Sequence, residues 1–220
     1  MTRVEVHAGD PSLHFLPIRG PLQATEDQGG DRRDWRDSVA AASDLALIGI
    51  VATVVALPGL TAGAAVAGAS AAVHEWCATE RLVPPGRALR RLRSGLLPGL
   101  GAALVGVPVT ALLLFNALAL ARGRVPGGTP LLVATAVLVV LWAGFAGLTV
   151  VEVGRRSGAG WRDAARSAGA ASLARPWVPV VLGLVVGLTG LLAALLPFLT
   201  PVLFGYGLFA LHVTAARLGA

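Results

Sequence analysis

Five ionisable side chains fall within or at the edge of long apolar segments, where charge is costly. They are two histidines and three carboxylates: Asp44, His74, Glu75, Glu152 and His212. Each lies within about two helical turns of the same predicted end of its segment, so together they form a candidate polar layer. Proton relays and ion sites are built from such groups. The alternative is that these groups reach water or pair with nearby Arg residues, which costs little near a membrane interface.

Catalytic chemistry has little support in the residue pattern. The single cysteine, Cys77, follows His74 by one helical turn, which suggests a thiol–imidazole pair, but no oxyanion donor or third group can be assigned. Motifs of zinc proteases, serine hydrolases and nucleotide-binding loops do not occur in the sequence, and neither does a C-x-x-C metal motif. We therefore predict a protein that is not an enzyme and has no cofactor and no metal site.

The elements that position these side chains are predicted to be membrane helices. Of the 220 residues, 55% are hydrophobic and only 14% charged, and the mean hydropathy is +0.73. Soluble domains contain roughly 25% charged residues. Six apolar segments cover about 39–57, 60–77, 96–120, 130–151, 177–196 and 199–216. Most of them approach the roughly 20 residues that cross a bilayer as a helix.

The first 37 residues differ from the rest of the chain. They are polar, contain Pro and Gly, and have no apolar core of the kind found in a cleaved signal peptide. We predict two parts: a disordered cytoplasmic tail over 1–37 and an all-α bundle of six spans over 38–217. The first span is then expected to be an uncleaved anchor.

The distribution of Arg predicts the orientation. All 18 basic residues are Arg. With six spans, 16 of them lie on the side of both termini, and only Arg122 and Arg124 lie on the other; without the second span the split becomes 11 to 7. Because cytoplasmic loops carry the excess of basic residues, we predict six spans with both termini in the cytoplasm. The cytoplasmic Arg clusters then face anionic lipid. They account for the net charge of +6, so no nucleic-acid partner is expected.

Two cytoplasmic loops concentrate this charge. "RALRRLRSGL" and "WRDAARSAGAASL" each place less polar residues on one helical side, Leu89, Leu92 and Leu96 in the first and Trp161, Ala165, Ala168 and Ser172 in the second. Both are typical of short helices on a membrane surface. Either the loops bind a cytoplasmic partner or anionic lipid, or they only fix the topology. The candidate residues are Arg87, Arg90, Arg91, Arg93, Arg155, Arg156, Arg162 and Arg166.

Small residues mark the predicted helix contacts. In lipid no hydrophobic force brings helices together, so close association depends on Gly, Ala and Ser. "TAGAAVAGASAA" in the second segment and "LGLVVGLTG" in the fifth carry them four residues apart: Gly63, Ala67, Gly68, Ala71, Gly183 and Gly187. These faces either pack within the chain, bind a helix of another protein, or support a homo-oligomer. A bulky change such as Gly68→Leu or Gly187→Leu is expected to disrupt folding or partner binding.

A second functional class is compatible with the third segment. Pro98 and Pro108 lie there beside several glycines. Transporters use helices broken in this way near the membrane midplane. The alternative hypothesis is therefore a small transporter or proton-coupled carrier.

Two stretches carry a family resemblance. "ALPGLTAGAAVAGASAAVHEW" and the following "RLVPPGRALRRLRSGLLPG" resemble the YesL family of small bacterial membrane proteins, a domain of unknown function. "WRDAARSAGAASLARPW" is similar to the second cytoplasmic loop of that family, and "LPFLTPVLFGYGLFAL" to its closing hairpin. The resemblance covers roughly residues 38–217. The first span lacks the Asn and aromatic residue that family members often carry.

What the resemblance implies is an accessory role. Genes of this family commonly accompany carbohydrate transporters of the ABC class, and the family has no catalytic residues to transfer to this chain. The sequence therefore leads to the hypothesis of a non-catalytic accessory or assembly partner of a solute transporter, in contact with the lipid bilayer and with permease subunits.

Overall fold

Helices account for nearly all of the described chain. The computed structural model describes residues 23–79, 81–82, 84–123 and 128–219. The helices are α1 (Gln23–Ala56), α2 (Ala62–Thr79), α3 (Pro85–Ala121), α4 (Gly128–Arg155), α5 (Trp161–Ala174), α6 (Trp177–Leu195) and α7 (Thr200–Arg217), and a 3-10 turn at Pro197–Leu199 precedes α7. These residue ranges contain no strand.

Five helical segments are long and apolar enough to cross a membrane. They are Trp35–Ala56, Gly86–Ala121, Gly128–Arg155, Trp177–Leu195 and Pro197–Arg217. At 1.5 Å per residue, the 19 residues of α6 extend about 28 Å, close to the thickness of a hydrocarbon core. The chain is thus an α-helical, multi-pass membrane protein. The 18-residue α2 does not reach the same hydropathy, because it combines Ala and Gly with His74 and Glu75.

The six predicted apolar segments all coincide with helices, namely α1, α2, α3, α4, α6 and α7. The turn between α1 and α2 follows Pro58 and places Gly59 at φ +71°, a conformation that favours glycine. Thr61 closes this turn by donating a side-chain hydrogen bond to the carbonyl of Val55. The Pro58-Gly59 pair in the sequence therefore predicted this turn correctly.

The boundary predicted between the tail and the bundle, at 37/38, lies inside a helix. α1 begins at Gln23, so residues 23–37 are helical; residues 1–22 lie outside the described part of the chain. Starting a helix is costly, but extending one adds a hydrogen bond for each residue that is fixed. The apolar part of α1 supplies the start, and no proline after Pro21 interrupts the extension until Pro58.

Two expectations about the third segment are wrong. "RALRRLRSGL" is not a separate surface helix but the first part of α3, which runs unbroken through Pro98 and Pro108. Its 37 residues extend about 55 Å, far more than a hydrocarbon core, so the Arg-rich part continues beyond the apolar part. A proline removes one hydrogen bond, and the turns around it still hold the helix. The geometry shows no broken helix at these prolines.

α5 is a separate helix, as predicted, but its small-residue side packs on protein. Ala164 and Ala168 are fully buried, and Ala168 belongs to a core cluster with Leu148 and Val151 of α4 and Leu182 of α6. A short helix with such small side chains offers little apolar surface to lipid. For this face of α5, packing against α4 and α6 is therefore more favourable than contact with lipid.

A second core cluster joins α1, α2 and α7. Leu45 and Ile48 of α1 contact Ala69 and Val73 of α2 and Leu208 of α7. Val73 has no exposed surface. Since lipid is as apolar as these side chains, the cluster is stabilised mainly by close van der Waals packing. By contrast, α3 leaves large side chains uncovered, with Leu97 84% and Phe115 70% exposed, so much of its surface is free to face lipid or another protein.

Candidate functional site

Backbone contacts between helices are made at glycines. A Cβ atom added to Gly63 of α2 would overlap the carbonyl of Gly99 in α3, and one added to Gly183 of α6 would overlap the carbonyl of Val140 in α4. Two further contacts of this kind join Gly144 of α4 to Pro179 of α6, and Gly205 of α7 to Leu45 of α1. Ala67 and Ala71 of α2 are also buried, at 1% and 2% exposure. These small residues hold the chain's own helices together.

Gly68 and Gly187 do not lie in a contact between helices of this chain. A Cβ atom at either position would have nothing within 4 Å. Gly187 lies one turn beyond the contact of Gly183 with α4, and crossing helices keep backbone contact only near the crossing point. Gly68 lines a groove between α1, α2 and α3. Gly68→Leu and Gly187→Leu are therefore no longer expected to prevent folding.

The two histidines of the predicted polar layer come together. The rings of His74 in α2 and His212 in α7 have centroids 5.9 Å apart. His212 is buried, at 6% exposure, whereas His74 is exposed. Nδ1 of His212 lies 3.0 Å from the carbonyl oxygen of Leu208, one turn earlier in α7. The carbonyl can only accept, so Nδ1 of His212 donates in this contact.

Ser70 is the third polar member of this cluster. Its hydroxyl donates a 2.7 Å hydrogen bond to the carbonyl of Val150 in α4, and its oxygen lies 3.5 Å from Nε2 of His212. Gly154 of α4 covers both groups, because a Cβ atom there would overlap the Ser70 hydroxyl. Ser70 is fully buried. Ser70 thus joins α2 to α4 through a hydrogen bond of the kind that connects membrane helices, and it packs against His212 of α7.

The three carboxylates of the predicted layer pair with Arg or Trp side chains and not with the histidines. Glu75 forms 2.8 Å ion pairs with both Arg87 and Arg91 of α3. Glu152 pairs at 2.8 Å with Arg155 in its own helix, with Arg156 at 3.9 Å. Asp44 accepts a 3.3 Å hydrogen bond from the indole of Trp76. The polar layer is therefore a set of local pairs beside one histidine cluster. Such partly exposed pairs contribute little to stability.

The remaining candidate arginines are solvent-facing. Arg166 pairs with Asp163 at 2.9 Å on the surface of α5, and Arg156 also donates to Ser167. Arg90, Arg93 and Arg162 are exposed, and no ion pair involves them within the described ranges. The first Arg loop consequently carries more positive charge than its carboxylate neutralises. Within the described residues, no group of three or more His, Cys, Asp or Glu side chains is placed to hold a metal ion.

A large groove between α3, α4 and α5, which we call the α3–α4–α5 groove, was not anticipated. Its cavity measures about 830 Å³, and its walls include Val105 and Gly106 of α3, Trp142 and Phe145 of α4, and Trp161 of α5. The indole of Trp142 donates a 2.9 Å hydrogen bond to the hydroxyl of Thr110 in α3. The indole Nε1 of Trp161 is buried and has no acceptor within the described residues.

Glycine opens the α3 backbone to this groove. Gly101 and Gly106 both line it, and a Cβ atom at either would meet nothing within 4 Å. A helix placed in the groove could therefore approach the α3 backbone closely, which is how membrane helices associate. The same glycines suggested a broken helix from sequence. Only the three-dimensional placement of Trp142 and α5 beside them shows a concave surface.

Comparison with protein-family models, with curated proteins and with solved structures finds no match.

Proposed function

We propose that this chain is a non-catalytic protein of the bacterial cytoplasmic membrane that serves as an accessory or assembly partner of a solute transporter, of the carbohydrate ABC type. The partner class follows from the YesL-like pattern of residues 38–217. What supports a docking role in the molecule itself is the α3–α4–α5 groove, an apolar concave surface in which the backbone at Gly101 and Gly106 is uncovered.

The proposed topology has six crossing segments with both termini in the cytoplasm. The excess of Arg in the tail, in the loop after α2 and in the loop after α4 supports it. The composition of α2 is compatible with a crossing segment, because its small residues are buried by neighbouring helices and need not face lipid. Ala64, Ala67, Ala71 and Val73 are each at most 2% exposed.

Cysteine labelling in intact cells tests this topology. In a Cys77→Ala background, single cysteines replace Asp37, Thr129 or Ala174, all of which are exposed. With six spans, a membrane-impermeant maleimide should label only the cysteine at position 129, and those at 37 and 174 should react only after permeabilisation. Labelling at both 37 and 129 in intact cells would mean that α2 does not cross and that only five segments span the membrane.

The proposed occupant of the α3–α4–α5 groove is a transmembrane helix of a permease subunit. A helix fits the elongated apolar surface, and small residues on α3 allow its backbone to approach. An acceptor on that helix would also satisfy the Trp161 indole after a small turn of the ring, which removes the cost of a buried donor without a partner. The groove has Arg162 and Asp163 at its edge, where they would contact the polar end of the helix.

Photocrosslinking in native membranes tests this occupant. A photoreactive amino acid at Val105, which is 63% exposed and lines the groove, should yield one crosslinked product containing a permease subunit. The matched control is Leu191 on α6, which is 58% exposed and lies outside the groove. Crosslinks of equal yield and identity from both positions would contradict docking at this groove. A product containing only a second copy of the chain would identify a homo-oligomer instead.

A further inference from the structure

A second groove lies between α1, α2 and α3, and one of the described residues in its walls is charged. Its cavity measures about 630 Å³. Apolar side chains form the rest of its walls, with Val51 and Val55 from α1, Gly68 and Ala72 from α2, and Leu89 from α3 among them. Val51 is 54% and Leu89 50% exposed, so the groove is open to its surroundings. The charged residue is Arg91. We call this surface the α1–α2–α3 groove.

Among the described residues beside this groove, positive charges outnumber negative charges. Arg91 and Arg87 share one carboxylate, Glu75, at 2.8 Å each, which leaves the cluster with a net positive charge. Arg90 and Arg93 are exposed on the neighbouring turns of α3. A guanidinium group can bind phosphate oxygens through two parallel hydrogen bonds. One guanidinium nitrogen of Arg91 pairs with Glu75, and its other nitrogens remain available to a phosphate group. The surface therefore combines an apolar channel with an anion-binding group.

The size of the groove suits one acyl chain. A cavity of about 630 Å³ holds roughly twenty groups of the size of a water molecule, at ~30 Å³ each, and a methylene group is of comparable size. Gly68 and Ala72 keep one wall shallow, because a larger side chain at either position would project into the space. An elongated hydrocarbon chain fills such a channel without the polar partners that a peptide backbone would need.

We infer that the α1–α2–α3 groove binds one anionic phospholipid, with an acyl chain along α1 and α2 and the phosphate at Arg91 and Arg87. The complementarity of an apolar channel and a net positive rim distinguishes this site from the surrounding apolar surface. A zwitterionic lipid offers the same chains but carries a compensating cation, so it should bind more weakly.

Native mass spectrometry of the purified full chain tests this site. Phosphatidylglycerol or phosphatidylcholine is added in a nonionic detergent, and bound lipid is counted. The wild-type chain should retain one phosphatidylglycerol in preference to phosphatidylcholine. Arg91→Gln should reduce phosphatidylglycerol occupancy about fivefold, the effect of losing roughly one basic contact with an anionic lipid. Arg166→Gln is the matched control, since Arg166 also pairs with a carboxylate but lies on α5.

The acyl channel is tested separately. Gly68→Leu fills the groove without overlapping a neighbouring helix, so the variant should fold and lose phosphatidylglycerol to a similar extent. Gly187→Leu, with equally open surroundings on α6, is its control and should bind as the wild type does. Equal binding of both lipids, equal losses in Arg91→Gln and Arg166→Gln, or full binding by Gly68→Leu would each overturn the site. If Arg91→Gln does not fold, the result for Gly68→Leu decides.

Discussion

Replacing Gly144 with Ala is expected to destabilise the folded chain severely in detergent. An added Cβ atom would overlap the carbonyl of Pro179, and a backbone atom cannot move away as the end of a side chain can. α4 and α6 would have to separate where they meet most closely, beside the buried Leu148 and Leu182. Overpacking of this severity should cost at least about 3 kcal/mol, a large part of the stability of a typical domain.

The measurement is size-exclusion chromatography and thermal unfolding of fluorescently tagged variants in one detergent. Gly187→Ala is the matched control. Gly187 lies on α6, the helix that Gly144 contacts, and a Cβ atom added there would have nothing within 4 Å. An alanine there should stabilise the helix by up to about 1 kcal/mol through its higher helix propensity. A monodisperse Gly144→Ala variant that melts at the wild-type temperature would show that α4 and α6 do not meet at this glycine.

Filling the α3–α4–α5 groove is expected to remove the transporter subunit from the purified complex. Gly106→Phe places a ring in the groove, and because nothing lies within 4 Å of its Cβ position, the chain itself should still fold. A helix that packs against the α3 backbone would then be held away. Recovery of the partner should fall at least tenfold, which corresponds to about 1.4 kcal/mol of binding free energy.

The control for this change is Gly190→Phe. Gly190 is exposed in α6, outside the groove, and also has open space around it. Both variants present one additional aromatic ring to the membrane, so a general effect of the ring would reduce partner recovery equally. Comparable losses in the two variants, or full recovery with Gly106→Phe, would show that the groove is not the docking surface.

The sequence predicted the helices well but not how they meet. Apolar length and the Pro58–Gly59 turn were sufficient to locate the helices, because both are local properties. Helix contacts depend on which face of each helix meets which neighbour. Gly63 and Gly68 lie in the same small-residue stretch, yet one contacts Gly99 and the other lines a groove. Spacing alone does not distinguish these two cases.

For the polar groups, too, the local sequence pattern did not predict which side chains meet. Helix depth placed His74 and His212 in one predicted layer, since both occur toward the same end of their segments, but it did not predict that their rings meet. Ser70 was missed because a serine among alanines is also a common small packing residue. Its hydrogen bond to Val150 joins residues 80 positions apart in the chain, and nothing in the local pattern indicates this contact.

Purification of the tagged chain from its own membranes in mild detergent, followed by mass spectrometry of proteins bound at stoichiometric levels, tests the proposed function most directly. We expect permease subunits of an ABC transporter to be recovered with the wild-type chain and lost with Gly106→Phe. Recovery of the chain alone, together with solute uptake by liposomes that contain only this chain, would contradict an accessory role and indicate a transporter.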